Sequence, residues 1–133
     1  MRTLLLAAMA VLLLAACTTI DSRKKSASFE TAMLNYSKAI RWGEFGLADS
    51  MRRLQGGQHA LQSSDYLEHI KITSYETIST SSLEDGSTIR VTAKIVYYHD
   101  DGMKLNSLLD NQDWKYDEDA HTWYITTPLP VFK

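Results

Sequence analysis

The chain has 133 residues with 14 basic and 16 acidic side chains, which gives a formal net charge of −2 at neutral pH. This balance offers no strongly basic surface, so we expect no nucleic-acid partner. The length fits one small domain, and the single cysteine excludes an internal disulfide bond.

The N-terminus starts with Arg2 and continues as an uncharged apolar run from Leu4 to Ala16. This run is shorter than the roughly 20 residues of a membrane-spanning helix and is typical of a secretory signal peptide. It closes with Leu14-Ala15-Ala16-Cys17, which resembles the lipobox of bacterial lipoproteins. The alternative is a buried cysteine in an ordinary apolar N-terminus.

The lipoprotein resemblance implies that residues 1–16 are a signal peptide, that this peptide is removed, and that Cys17 carries the lipid. Several acyl chains, such as palmitate, would anchor the protein to a membrane without crossing it. Thr18 stands where inner-membrane lipoproteins of enterobacteria typically have aspartate. The resemblance thus implies an outer-membrane anchor facing the periplasm of the cell envelope, although the sorting rule varies between bacteria.

Residues 17–28 are predicted to be a lipidated tether, because they are polar and have no apolar period. The cluster Arg23-Lys24-Lys25 fits either a solvated linker or a contact with anionic lipid headgroups. The folded domain is predicted to comprise residues 29–133.

The first helix of this domain is predicted from apolar residues at spacings of three and four. Ser26 or Ser28 could cap its start, and Trp42-Gly43 would end it. The apolar stripe comprises Phe29, Ala32, Met33, Tyr36, Ala39 and Ile40.

A second short helix is predicted from Glu44 to Leu54, and Gly56-Gly57 would stop it. The stretch from Gln58 to Asp65 fits either a helical turn or a loop.

From Tyr66 onward the apolar period changes to two, and β-branched and aromatic residues dominate, as in strands. Asp85-Gly86 and Asp101-Gly102 predict two-residue hairpins, and residues 117–121 form a third break. The sequence therefore predicts an α+β fold with two N-terminal helices packed on a curved four-stranded antiparallel meander sheet. The predicted strands are Tyr66–Ser79, Thr88–Tyr98, Met103–Tyr116 and Thr122–Val131.

If the turns have two residues, the side chains of one strand that face the helices determine which side chains of the neighbouring strand do so. The sets agree with one another across the whole sheet. The apolar side chains predicted to face the helices are Ile70, Ile72, Ile78, Ile89, Val91, Ala93, Ile95, Tyr97, Leu108, Trp114, Tyr116, Trp123 and Ile125.

The order of elements, with Arg41-Trp42-Gly43-Glu44-Phe45 after the first helix and Trp114 and Trp123 on the closing strands, resembles the nuclear transport factor 2-like superfamily. The resemblance covers roughly residues 28–132, and a cystatin-like arrangement is the near alternative. The chain departs from that superfamily in the short stretch between Gly57 and Tyr66, which leaves little room for a third helix. Members include dehydratases, cyclases, carriers and protein-binding modules, so the fold does not select a function.

The assumed register turns Glu76, Asp110 and Gln112 inward beside Tyr97, which would form a pocket between the sheet and the helices. Two carboxylates there could act as acid and base, although one intervening strand separates their backbones by on the order of 10 Å. The alternative places these groups at the solvated rim.

The sequence contains no cofactor motif, so we expect no cofactor. The four histidines lie in different loops and strands at spacings that predict no metal site. The histidines are His59, His69, His99 and His121.

The outward face is predicted to carry an apolar patch around the Asp101-Gly102 hairpin, and such a patch is typical of an interface. A homodimer or an envelope-protein partner would use it, unless the residues Leu129–Phe132 or the tether cover it. The residues of this patch are Val96, Tyr98, Met103, Leu105 and Leu109.

Together these patterns predict a lipid-anchored binding or interaction module of the cell envelope without catalysis. The alternative is a small-molecule carrier or a dehydratase- or cyclase-like enzyme that uses the helix–sheet pocket. A structural spacer in an envelope assembly is a third possibility.

Overall fold

The computed structural model describes residues 2–56, 61–84 and 86–133, with the backbone alone described for residues 2–18. It confirms the predicted α+β class, because helices precede a four-stranded antiparallel sheet. Among the described residues, no helix is long and apolar enough to cross a membrane. The elements are α1 Arg2–Arg41, α2 Phe45–Ser50, α3 Ser64–Glu68, β1 Ile70–Ser82, β2 Thr88–His99, β3 Leu105–Asp117 and β4 Thr122–Ile125.

Helix α1 starts much earlier than the apolar stripe indicates, so the predicted tether is helical. The predicted caps Ser26 and Ser28 are therefore inside the helix, and the Ser28 hydroxyl donates to the Lys25 carbonyl at 2.8 Å. A polar segment without an apolar period can continue a helix when it lacks glycine and proline. Residues 18–28 contain neither. Cys17 lies within α1, but its side chain is outside the described part of the chain.

The end of α1 follows the sequence prediction. Gly43 has a φ of +72°, the left-handed conformation that glycine adopts without strain. Its N–H donates to the Ile40 carbonyl at 3.0 Å, and the Glu44 N–H donates to the Ala39 carbonyl at 2.8 Å. These two bonds form a Schellman motif, which satisfies the last carbonyls of the helix and turns the chain into α2.

Lys25, in the predicted tether, contacts the sheet. The Trp123 indole N–H donates to the Lys25 carbonyl and the Ser28 hydroxyl, both at 3.1 Å. The Lys25 ammonium pairs with Glu118 at 2.7 Å and lies 4.3 Å from the centre of the Tyr116 ring. The last residues of the predicted tether thus belong to the folded domain.

The second helix is shorter than predicted, and the chain after it runs along the free edge of β4. The Ile125 N–H donates to the Met51 carbonyl at 3.0 Å, and the Arg53 N–H donates to the Ile125 carbonyl at 2.8 Å. These bonds cover part of the open edge of the sheet. The stretch that the sequence left open contains the start of α3, which Ser63 caps. This helix continues to Glu68, so β1 begins at Ile70 and not at the predicted Tyr66. Gly57 and residues 58–60 lie outside the described residues.

The sheet has the order β1-β2-β3-β4. Strands β2 and β3 pair without interruption from Thr88 opposite Lys115 to Tyr98 opposite Leu105, which is the predicted register. The paired strands end before the turn, so the hairpin loop is longer than the predicted two residues. The β1–β2 loop is longer as well, and Asp85 in it is outside the described residues.

Strand β1 departs from the prediction because it contains two irregularities, one between Ile72 and Ser74 and one between Thr77 and Ser79. Each adds one unpaired residue, so side chains between the two bulges turn to the opposite face. Together the two bulges shift the pairing by two residues, which returns the side chains beyond them to their predicted face. Ile72 therefore faces inward as predicted. The predicted inward orientation is wrong for Glu76, which is exposed opposite Lys94, and for Ile78, which is 55% exposed.

Aromatic side chains fill the space between α1 and the sheet. Phe29 packs edge-on against Trp114 at 5.7 Å and Trp123 at 5.1 Å between ring centres. At the other end of the sheet, Phe132 lies 5.1 Å from both Phe45 and Tyr97. The C-terminal tail therefore packs on the helix side, and the alternative in which it covers the outward patch is wrong.

Candidate functional site

The centre of the helix–sheet interface contains a buried polar network rather than an open pocket. Asp110 is 2% exposed and Gln112 is fully buried, both on the inward face of β3 as predicted. Tyr36 from α1 and Arg52 from the segment after α2 complete the network, and both are buried.

Asp110 is held by two donors on one oxygen. The Tyr36 hydroxyl donates to Oδ2 at 2.8 Å, and the Gln112 side-chain amide donates to the same oxygen at 2.8 Å. These bonds connect α1 to the central part of β3. A buried carboxylate is tolerated when it accepts such hydrogen bonds.

Arg52 supplies the positive charge of the network. Its guanidinium donates to the Tyr36 hydroxyl and to the Thr127 carbonyl, and it lies 5.1 Å from the centre of the Tyr36 ring. Its Nε is the one buried side-chain nitrogen or oxygen of the described residues that has no hydrogen-bond partner. The Tyr36 hydroxyl therefore joins the arginine to the carboxylate.

Gln112 extends the network to β1 and to the aromatic core. Its amide donates to the Tyr75 hydroxyl at 2.8 Å, and its carbonyl accepts the Trp114 indole N–H at 2.8 Å. Tyr75 occupies the inward position between the bulges of β1, next to the predicted position of Glu76.

Burial controls the protonation of this network. It raises the pKa of Asp110 above its ordinary value, although the Arg52 charge and the bonds from Tyr36 and Gln112 oppose the shift. Burial also raises the pKa of the Tyr36 and Tyr75 hydroxyls, so both remain protonated at neutral pH.

The four predicted pocket residues are only partly brought together. Asp110 and Gln112 are in contact, whereas Tyr97 is buried at the other end of the sheet, where its hydroxyl accepts the Lys133 N–H at 3.0 Å. Glu76 lies on the opposite face, so no pair of carboxylates forms. With Asp110 and Gln112 buried by protein atoms, the network links α1, β1 and β3 and offers no surface to a ligand.

Two surface grooves lie beside α1, away from this network. One has a volume of about 360 Å³ between α1 and β4, with Ala32, Met51 and Trp123 in its wall. The other has a volume of about 790 Å³ near Lys25, Tyr116 and Glu118. Neither is lined by a predicted pocket residue.

The outward face of the sheet consists of cross-strand rows. Near the β2–β3 loop, Tyr98 stands between Lys71 and Leu105, and farther along, Lys94 stands between Glu76 and Leu109. Val96 is half-buried, opposite Ser107.

Three apolar side chains of this predicted patch are largely exposed. The exposed fractions are 71% for Met103, 63% for Leu105 and 57% for Leu109. At the other end of the face the rows are polar, and Arg90 pairs with Asp113 at 2.7 Å. The apolar end of the outward face is next to the β2–β3 loop.

The sequence does not reveal Tyr36, Arg52 and Tyr75 as members of a polar network. The sequence pattern predicts Tyr36 only as an apolar member of the α1 stripe and Arg52 only as part of the second helix, Glu44 to Leu54. The bond from Tyr36 to Asp110 joins residues that are far apart in the chain, which no local pattern reveals.

Two of the histidines, which the sequence places in different elements, lie next to each other in the structure. The rings of His69 and His99 are stacked with their centres 5.3 Å apart. His69 caps the C-terminal end of α3, and His99 ends β2, so strand pairing brings them together.

No protein-family model, curated protein or solved structure matches this chain. The resemblance to the nuclear transport factor 2-like superfamily stays a prediction from the order of elements.

Proposed function

We propose that the protein is a lipid-anchored, non-catalytic interaction module of the cell envelope and that the outward face of its sheet binds a second copy of the chain. The observation that carries this proposal is the exposure of Met103 and Leu105 near the β2–β3 loop and of Leu109 farther along the outward face of β3. Exposed apolar side chains grouped in this way are typical of protein interfaces.

The residue pattern of β3 supports this role. Leu109 faces outward while its neighbour Asp110 is buried, which reverses the usual preference of both residue types. Because burying a carboxylate and exposing a leucine both cost stability, the arrangement favours a use for the outward leucine beyond folding.

The packed interior favours an interaction role over a carrier or an enzyme. Trp114, Phe29 and the Asp110 network occupy the space in which the alternative function would place its ligand. An interaction module needs only the outer face, which these contacts leave free.

The anchor would place copies of the chain in one plane. From Cys17 to Lys25, whose carbonyl accepts a hydrogen bond from the sheet residue Trp123, the helix rises by about 12 Å. The domain would therefore lie close to the membrane, and confinement to a surface raises the effective concentration for self-association.

Sedimentation velocity of the full chain in detergent tests the interface. We expect a wild-type dimer and monomeric Leu105→Glu and Tyr98→Glu variants, because a charge would have to be buried at the contact. Ser79→Glu is the matched control, since it adds the same charge to an exposed site on β1 and should leave the dimer intact. A monomeric wild type would reject self-association.

Cell fractionation tests the anchor separately. Cys17→Ser removes the thiol that would receive the lipid, so the variant should leave the membrane fraction. Thr18→Ser, which keeps the cysteine, should remain membrane-bound. Retention of Cys17→Ser in the membrane would contradict the lipid anchor.

A further inference from the structure

The loop between β2 and β3 and the start of β1 bring together two histidines and two aspartates. His69 Nδ1 lies 2.8 Å from Asp100 Oδ1, and one ligand atom each from His69, Asp100 and Asp101 lies within 4.8 Å of the others. His99 Nδ1 lies 3.3 Å from Asp101 Oδ2 and 4.0 Å from Asp100 Oδ1. Three metal-binding groups from two chain segments thus surround one small space, and His99 lies beside it, next to Asp101.

We propose that His69, His99, Asp100 and Asp101 bind one divalent transition-metal ion of the Zn²⁺ type. Zinc accepts imidazole nitrogen and carboxylate oxygen at about 2.0–2.2 Å in a tetrahedral arrangement, which puts neighbouring ligand atoms about 3.3 Å apart. The separations of 2.8, 3.3 and 4.0 Å fall on both sides of that value. His69, Asp100 and Asp101 already lie within reach of one ion, and a rotation of the His99 side chain would supply the fourth ligand.

The backbone fixes the segments that carry these ligands. The Asp100 N–H donates to the His69 carbonyl at 2.9 Å, which ties the start of β1 to the loop. Within the loop, the N–H groups of Gly102 and Met103 donate to the His99 carbonyl at 3.1 and 2.9 Å. The main chain is thus already arranged for the site, and metal binding would need little ordering of the loop.

The local charge also favours a cation. Asp100 and Asp101 carry two negative charges, and Lys71, whose ammonium lies 3.9 Å from Asp100, supplies one positive charge. The Lys71 ammonium donates to the Glu68 carbonyl at 2.7 Å, so it is held to one side of the cluster. The cluster therefore keeps a net negative charge, which attracts a divalent cation.

The ligand types select the class of metal. Imidazole favours zinc, nickel and copper, whereas magnesium and calcium prefer sites built from oxygen alone. The ion would cross-link the α3–β1 junction to the β2–β3 loop, next to Met103 and Leu105 of the outward patch. Its proposed role is structural, and it is independent of self-association.

Isothermal titration of the metal-stripped full chain in detergent with Zn²⁺ tests this site, with Mg²⁺ titrated in parallel. We expect one Zn²⁺ per chain, a rise in the thermal midpoint on addition of Zn²⁺, and no comparable binding of Mg²⁺. His69→Ala and His99→Ala should each weaken Zn²⁺ binding by roughly tenfold or more, because each removes a ligand.

His121→Ala is the matched control, because His121 is an exposed histidine whose ring contacts Tyr116 instead of the cluster. It should bind Zn²⁺ like the wild type. Circular dichroism of each variant checks that the fold is retained, and the double variant Asp100→Asn with Asp101→Asn tests the carboxylates without removing side-chain volume. The proposal would be overturned if the wild type bound no Zn²⁺, or if the His69→Ala and His99→Ala variants bound it as tightly as the wild type. It would also be overturned if His121→Ala weakened Zn²⁺ binding as much as those two variants.

Discussion

The two faces of the sheet use similar residue types in opposite ways. On the inward face, the polar groups of Asp110 and Gln112 are enclosed and bonded to Tyr36, Tyr75 and Trp114. On the outward face, Leu105 and Leu109 are exposed, and polar pairs such as Arg90 with Asp113 remain in solvent.

The difference between the faces lies in what each can tolerate. Inside, a polar group is acceptable only when protein atoms satisfy it, so the network depends on several elements being in place together. Outside, water satisfies each polar group separately, and a substitution affects few neighbours. Folding therefore depends mainly on the inward face, and the outward face can vary for binding.

The largest expected effect is the loss of unfolding free energy when a buried side chain of the inward face is removed. Trp114→Ala should lower the free energy of unfolding by about 3–5 kcal/mol, because the fully buried indole contacts Phe29 and Tyr36 and donates to Gln112. Urea denaturation measures this loss. Trp42→Ala is the matched control, because Trp42 is 81% exposed, and its change should stay within about 0.5 kcal/mol. Equal losses would mean that the indole of Trp114 is not a core contact.

The next prediction uses pH to compare one aspartate from each face. Burial raises the pKa of Asp110 above its ordinary value of 3.8, so the folded chain holds this proton more tightly than the unfolded chain. The stability contribution of Asp110 therefore falls as pH rises from 3.8 through the raised pKa. The Arg90 hydrogen bond lowers the pKa of Asp113, so its contribution is present above 3.8 and is lost as pH falls through the lowered pKa.

Unfolding free energies measured between about pH 2.5 and 7 check these opposite signs. The advantage of the wild type over Asp110→Asn should shrink with rising pH, and its advantage over Asp113→Asn should grow. The two changes occupy different pH ranges, above 3.8 for Asp110 and below 3.8 for Asp113. The same sign for both variants would contradict the different environments of the two carboxyl groups.

The sequence predicted the alternation of β2 and β3 because these strands pair without a bulge. It also predicted the inward Asp110 and Gln112, since their orientation depends only on that alternation. Strand β1 was different, because nothing in the residue types at Thr73 or Ile78 indicates an extra unpaired residue. Glu76 lies between the two bulges, so its predicted side was wrong, whereas Ile70 and Ile72 beyond both were right.

Contacts between distant segments were the second limit of the sequence analysis. The pairing of Tyr36 with Asp110 and the stacking of His69 on His99 depend on how strands and helices meet in space. Local patterns predict which residues form each element and which face they occupy. They do not predict which polar side chains from separate elements become partners.

The smallest expected effect tests the bulges themselves. Glu76→Gln should change the free energy of unfolding by less than about 0.5 kcal/mol. Glu76 is exposed opposite Lys94, and an attraction between two exposed charges contributes little to stability. Glu76→Leu should be similarly mild, while Tyr75→Ala should cost clearly more, since Tyr75 accepts the hydrogen bond from buried Gln112. Urea denaturation of the three variants measures the order of effects. If Glu76→Leu stabilised the protein strongly, the position would face the core, and β1 would have to pair with β2 without the bulges.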